Sequence, residues 1–200
     1  MGCTNQQHVI KAMTELEKYI QGYFGVTNED LAAISSFFEP LSIKKGDFFL
    51  KPGWPCERLG FLHAGIMREF LPVGEKEVTK WILTAGSFAT DLPGFMFNVA
   101  ARFNLQALTD CELYVINAGS YRKIPHSVPR WQELEKLFIT KCFAVLEERV
   151  ITHLAMDAEE RYLRLFSSNS QLFNVVPLQY LASMLGMTPE TLSRLRKKSL

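Results

Sequence analysis

Clustered cysteine, clustered histidine and net charge are all lacking in this 200-residue sequence. The four cysteines, Cys3, Cys56, Cys111 and Cys142, form no CxxC pair and offer no metal-ligand spacing. A disulfide framework is not expected at this length, so the thiols read as reduced. Cys3 stands alone near the N-terminus, which excludes the grouped thiolates of an iron–sulfur cluster. His8, His63, His126 and His153 are scattered and read as surface or capped residues. The sequence therefore calls for no metal and no cofactor. No Ser-His-Asp or Cys-His arrangement and no phosphate-cradling glycine loop can be argued, so no catalytic residue is assigned and an enzyme is not expected. Asp157, Glu159 and Glu160 read as the acidic first turn of a helix rather than as an acid–base pair. Residues 1–7 lack the apolar stretch of a signal peptide, and no apolar run reaches the roughly eighteen residues of a membrane span, so no membrane partner and a cytoplasmic location are expected. Formal net charge is only +1, so any electrostatic footprint for nucleic acid must be local.

What is present is a 48 % hydrophobic, 22 % charged chain, enough for one large or two small globular domains. From about His8 to Phe38 the pattern is helical: Ile10, Met13, Leu16, Tyr19 and Ile20 recur at helical spacing, and Thr27 opens a second helix with Leu31, Ile34 and Phe37/Phe38 as its apolar face. From about Leu41 to Ile116 short apolar runs alternate with turns at Gly46, Gly53, Gly65, Gly74 and Gly86. Strands are predicted over 48–50, 59–62, 66–71, 78–83, 103–108 and 113–116, the spacing of a sandwich or barrel, with 92–101 either a short helix or a loop. After Pro125 and Pro129 a long helix is predicted over Trp131–Met156. It carries one stripe of Ile139, Phe143, Leu146, Val150 and Leu154 and an adjacent one of Leu134, Phe138, Cys142 and Val145. Two apolar faces suit either a helix shared between its own domain and a partner subunit or one buried within a single domain. A further helix starts at Asp157, with Tyr162, Leu163, Leu165 and Phe166 facing the core, and ends in the polar turn Ser167–Ser170.

The tail, Val176–Lys198, carries the most specific pattern. Two short helices meet at Gly186, which supplies the positive φ the turn needs, and Ala182 is small where they cross. Thr188 caps the second helix, Pro189 occupies its first position, and Leu192 and Leu195 lock it to the first. Its exposed face carries Glu190, Thr191, Arg194, Lys197 and Lys198. From Thr188 onward, four basic residues (Arg194, Arg196, Lys197, Lys198) face one acid, Glu190. Such cations contact phosphates, and an arginine can read a guanine edge. The alternative is an ordinary helical hairpin with a solvated basic end.

This tail resembles the helix-turn-helix of the Crp/Fnr regulators, the catabolite-activator-like family, and nearly the whole chain follows that family's order. The resemblance implies an α+β fold in three parts: a cyclic-nucleotide-binding-like β jelly-roll with flanking helices over 1–130, a dimerisation helix over 131–156, and a helix-turn-helix domain over 157–200. Gly46, Gly53, Gly65 and Gly86 fall at the roll's turns, and Ala107–Leu113 resembles its last strands. By resemblance the second helix enters the major groove of double-stranded DNA. Thr188, Glu190, Thr191, Arg194, Arg196, Lys197 and Lys198 are then the DNA-binding residues, and RNA polymerase is a partner. Pro189 replaces a base-reading arginine of some relatives, and the family's β wing is expected to be absent or reduced, because the chain stops at Leu200. Cyclic-nucleotide binders of the family hold the ribose with a Gly-Glu pair and the phosphate with an Arg-Ser or Arg-Thr pair. Thr90-Asp91 and Ala101-Arg102 stand there instead, with Arg102 one place late, on the wrong face if it lies in a strand. The expected protein is a homodimeric transcription regulator whose effector, if there is one, is a small ligand other than a cyclic nucleotide, with Thr90, Asp91 and Arg102 as its candidate contacts. The alternative is a ligand-binding roll whose C-terminal helices mediate protein interaction.

Overall fold

The computed structural model describes residues 16–22 and 26–198. The expected helical positions Ile10 and Met13, and with them Cys3 and His8, lie outside the described residues. After helical turns over 16–22 come α1 (Asn28–Ser35), β1 (Glu39–Ile43), β2 (Phe48–Leu50), β3 (Arg58–Ala64), β4 (Met67–Val73), β5 (Lys76–Leu83), β6 (Phe88–Ala89), α2 (Leu92–Phe97), β7 (Asn104–Ala107) and β8 (Cys111–Asn117). These are followed by α3 (Ala118–Tyr121), α4 (Ile124–Ser127), α5 (Trp131–Ala155), α6 (Ala158–Asn169), α7 (Leu172–Val175), α8 (Leu178–Met184) and α9 (Pro189–Lys198). The strands form two four-stranded sheets, β1-β8-β3-β6 and β2-β7-β4-β5. This α+β arrangement is the jelly-roll followed by helices that the sequence predicts. The chain divides into two compact units, one made of residues up to Arg68 together with Leu83–Phe138, the other of Glu69–Ile82 together with Ile139–Leu200.

In the first unit the strands pair antiparallel, Leu41 opposite Leu113 and Phe61 opposite Tyr114, and the side chains that face inward are apolar. Phe49, Leu62, Leu105 and Leu113 are buried between the sheets, and Phe61 and Ile116, on the opposite faces of β3 and β8, are buried on the other side. Tyr19, Phe61, Phe88 and Phe138 continue this core as an aromatic cluster with ring centroids 4.8–5.5 Å apart. Gly65 turns β3 into β4 at φ +98°, and a Cβ there would lie 2.5 Å from the Asp110 carbonyl oxygen, so glycine is required for both conformation and space. Thr27 caps α1, its Oγ1 accepting from the Asp30 N–H at 3.1 Å.

Two strands escape the sequence pattern. β1 contains Pro40, which normally argues against a strand, but β1 lies at the edge of its sheet, where a missing N–H is tolerated. β6 is two residues long, too short to show alternation. Residues 92–97 take the helical option, ended by Asn98 in the left-handed region at φ +53°.

In the second unit, α6 opens with a reciprocal cap: the Glu160 N–H donates to Asp157 Oδ1 at 2.9 Å, and the Asp157 N–H donates to Glu160 Oε2 at 2.8 Å. The polar turn expected at Ser167–Ser170 does not stop this helix, which runs to Asn169. Ser167 and Ser168 turn their hydroxyls back onto the Arg164 and Leu165 carbonyls, both at 3.0 Å, and so fit inside the helix. Tyr162 is buried against Phe166 and Phe173, whereas Leu163, expected in the core, is exposed. Leu181, Ala182, Leu192 and Leu195 form the seam between α8 and α9. On α5 the stripe Ile139, Phe143, Leu146, Val150 and Leu154 is exposed, Phe143 by 62 % and Leu154 by 83 %. No helix among the described residues is long and apolar enough to cross a membrane.

Candidate nucleic-acid interface and effector site

The α8–turn–α9 unit is built around Gly186. Its φ of +65° lets the chain reverse, and the Met187 N–H reaches back to the Ala182 carbonyl at 3.0 Å, closing the end of α8. Ala182 is fully buried where the helices cross. Thr188 then caps α9, its Oγ1 accepting from the Thr191 N–H at 3.2 Å. The Glu190 carboxyl is held below its ordinary pKa by its own backbone N–H and by the Thr188 side chain, and it stays charged at the start of the helix.

Pro189, Glu190, Ser193, Arg194 and Lys197 line one continuous surface of α9, with Arg194 and Lys197 exposed. Thr191 lies beside it, partly buried. The other two cations point elsewhere: Arg196 Nη1 donates to the Phe173 carbonyl at 3.3 Å, and Lys198 pairs with Glu159 at 2.8 Å. The free cationic face is therefore Arg194 with Lys197, one helical turn apart. Ser193 joins this face although the sequence reading did not single it out; its i+3 spacing from Glu190 was the available signal.

A second set of residues, also not singled out, fixes this unit from behind. The Arg149 guanidinium donates to the Met184 carbonyl at 2.7 Å, with a His153 ring nitrogen 3.3 Å from the same oxygen, and Arg161 Nε donates to the Leu185 carbonyl at 2.8 Å. The two guanidinium groups sit at the negative end of α8. Arg149 also lies over the Trp81 ring at 4.4 Å, and burial lowers its pKa from the ordinary arginine value. From the β4–β5 hairpin the Thr79 N–H donates to Ser183 Oγ at 2.9 Å. The i, i+4 spacing of Arg149 and His153 was visible, but their carbonyl partners, more than thirty residues away, were not.

In the roll the expected effector contacts bind one another. Arg102 donates to the buried Asp91 three times: from its backbone N–H at 3.0 Å, Nε at 2.9 Å and Nη2 at 2.6 Å. Burial on its own would raise the Asp91 pKa, but the Arg102 hydrogen bonds and charge outweigh it and hold the carboxyl below the ordinary value. The expected wrong-face placement of Arg102 does not arise. β7 begins only at Asn104, so Arg102 lies in irregular backbone free of strand alternation. Thr90 is also engaged, its hydroxyl donating to the Arg58 carbonyl at 2.9 Å. An apolar space lined by Ile20, Phe88, Trp131 and Phe138, with none of Thr90, Asp91 and Arg102 in its lining, measures about 40 Å³, room for little more than water.

No protein-family model and no curated protein matches the sequence. Among solved structures the fold is similar to that of CLP, a c-di-GMP-responsive global regulator from Xanthomonas campestris: TM-score 0.64 and 17 % identity over 84 % of this chain and 89 % of that one. It is also similar to the catabolite activator protein of Thermus thermophilus (TM-score 0.56, 18 % identity, 90 % and 85 % of the two chains). A structure described as a putative cAMP-binding regulatory protein from Silicibacter pomeroyi gives TM-score 0.65 and 16 % identity over 94 % and 87 %. The chain thus has the catabolite-activator-like fold, a cyclic-nucleotide-binding-type roll followed by a helix-turn-helix.

The Asp91–Arg102 pair carries a pH signature. A lowered folded-state pKa contributes stability that is present at neutral pH and is lost as pH falls below about 4 through the folded value. Arg102→Met, which leaves a buried carboxylate without its partner, is expected to lower stability by about 1–3 kcal/mol at pH 7. The gap from the wild type should narrow on acidification, as Asp91 protonates in the variant. Urea denaturation at several pH values checks this; a gap independent of pH would mean the ion pair contributes nothing.

Proposed function

We propose that the chain is a homodimeric, sequence-specific DNA-binding transcription regulator of the Crp/Fnr type. The observation that carries this reading is the capped, glycine-turned α8–α9 unit, which presents Glu190, Arg194 and Lys197 on one exposed helical face. α9 enters the major groove, where Arg194 reads a base edge and Lys197 meets phosphate. Thr188 and Thr191 hold the first turn in place beside the backbone. Arg196 and Lys198 act secondarily, Lys198 exchanging Glu159 for a phosphate.

The exposed stripe of α5 supports dimerisation, because a row of large apolar side chains from Ile139 to Leu154 is stable in water only when covered. Two copies related by a two-fold axis place their recognition helices on half-sites about 34–36 Å apart. The roll serves as the effector domain. The mutual pairing of Asp91 and Arg102 argues against a cyclic nucleotide, which needs its acid and its arginine for itself. RNA polymerase is the partner of such a regulator, and the cytoplasm is its location.

Arg194→Ala is expected to weaken specific operator binding by about 1–3 kcal/mol and to relax one base position, with the thermal midpoint unchanged. Lys197→Ala should weaken all sequences alike and reduce the salt slope by about 1. Fluorescence anisotropy at several salt concentrations separates the two; unchanged operator affinity in Arg194→Ala means that α9 is not the reading helix. Phe143→Glu is expected to convert the dimer to a folded monomer, measured by sedimentation, and a dimer that survives it places the subunit interface elsewhere.

A further inference from the structure

The open edges of the two sheets, β1 and β2, enclose a groove of about 420 Å³, within the size range of small-molecule sites. Its floor is apolar, from Leu41, Ile43 and Phe49. Its walls carry two cations lying on aromatic rings. Lys51 Nζ is 4.2 Å from the Phe48 ring centre and 5.5 Å from that of Trp54, and the Arg58 guanidinium is 5.0 Å from that of Phe49. Among the described residues neither cation pairs with a carboxylate, and Asp47, the one acid in the lining, bridges to neither. Trp54 is 44 % exposed, yet its turn is fixed: the Gly53 N–H donates to the Ala101 carbonyl and the Ala101 N–H donates to the Trp54 carbonyl, both at 2.9 Å.

We propose that this groove is a binding site for a small aromatic anion, its ring lying against Trp54 and Phe48 and its carboxylate or phosphate between Lys51 and Arg58. Cations free of a carboxylate and already held against rings, Arg58 also by Nη2 donating to the Phe49 carbonyl at 3.4 Å, lose little freedom when they engage an anion, and an aromatic ligand extends the stack. The place in the fold also fits an effector. The Trp54 turn is hydrogen-bonded to Ala101, the residue before Arg102, so a ligand that moves Trp54 acts on the irregular segment that holds Arg102 against Asp91. The role as effector rests on the regulator reading above; binding does not, and it is measured without DNA.

The test titrates the full chain with adenosine 5′-monophosphate and with benzoate, using adenosine and inorganic phosphate as half-ligands. The readouts are calorimetry and tryptophan fluorescence. At least one aromatic anion is expected to bind saturably with a dissociation constant below about 1 mM, and each half-ligand at least about tenfold more weakly. The fluorescence change should disappear in Trp54→Phe although Trp81 and Trp131 remain. Lys51→Met and Arg58→Met alter exposed or half-exposed side chains, so folded variants are expected, and each should weaken binding at least about tenfold. No saturable heat with either anion in the wild type overturns the proposal without recourse to any variant. Binding that the combined Lys51→Met, Arg58→Met variant leaves unchanged overturns it too, because the ligand then sits elsewhere.

Discussion

The carbonyls of Met184 and Leu185 end a helix of only seven residues, and Arg149, His153 and Arg161 converge on them from two other helices. A helix of that length does not hold its shape alone, because the unsatisfied carbonyls at its end are a large fraction of its hydrogen-bonding groups. The two arginines supply donors and place positive charge at the negative end of the dipole, with the His153 ring packed beside them. Gly186 follows directly, and Thr188 starts the next helix two residues later, so the direction of α9 is inherited from this anchored end. The aim of Arg194 and Lys197 depends on it.

The roll obeys a different constraint. Its inward side chains fill the space between the sheets, and Asp91 and Arg102 neutralise each other. A carboxylate with both oxygens occupied by a guanidinium must break about two charge-assisted hydrogen bonds before it can accept from a ligand hydroxyl. The groove between the sheet edges has the opposite character, with cations held ready and no acid joined to them. If the roll senses a small molecule, the chemistry of the edges suits it better than the chemistry of the interior.

Much of this was legible in the sequence where the signal is local. Gly186, Ala182 and the Thr188 cap announced the turn through spacing alone, and the regular glycines announced the strand ends. Where contacts are long-range or a local rule is overridden, the sequence was silent or misleading. Pro40 hid an edge strand that tolerates it, and Ser167 and Ser168 suggested a turn but were absorbed into α6 through their hydroxyls. The approach of Arg102 to Asp91 depends on irregular backbone that no alternation predicts. Of the basic tail residues, only the fold distinguishes Arg194 and Lys197 from Arg196 and Lys198, because all four are equally charged on paper and differ only in what lies beside them.

Selection of this chain on random duplex DNA at moderate salt tests the central claim most directly. The account predicts an enriched, roughly palindromic motif with half-sites about 10 base pairs apart, centre to centre. Binding that recovers no enriched sequence, or complete absence of binding at about 50 mM salt, contradicts it.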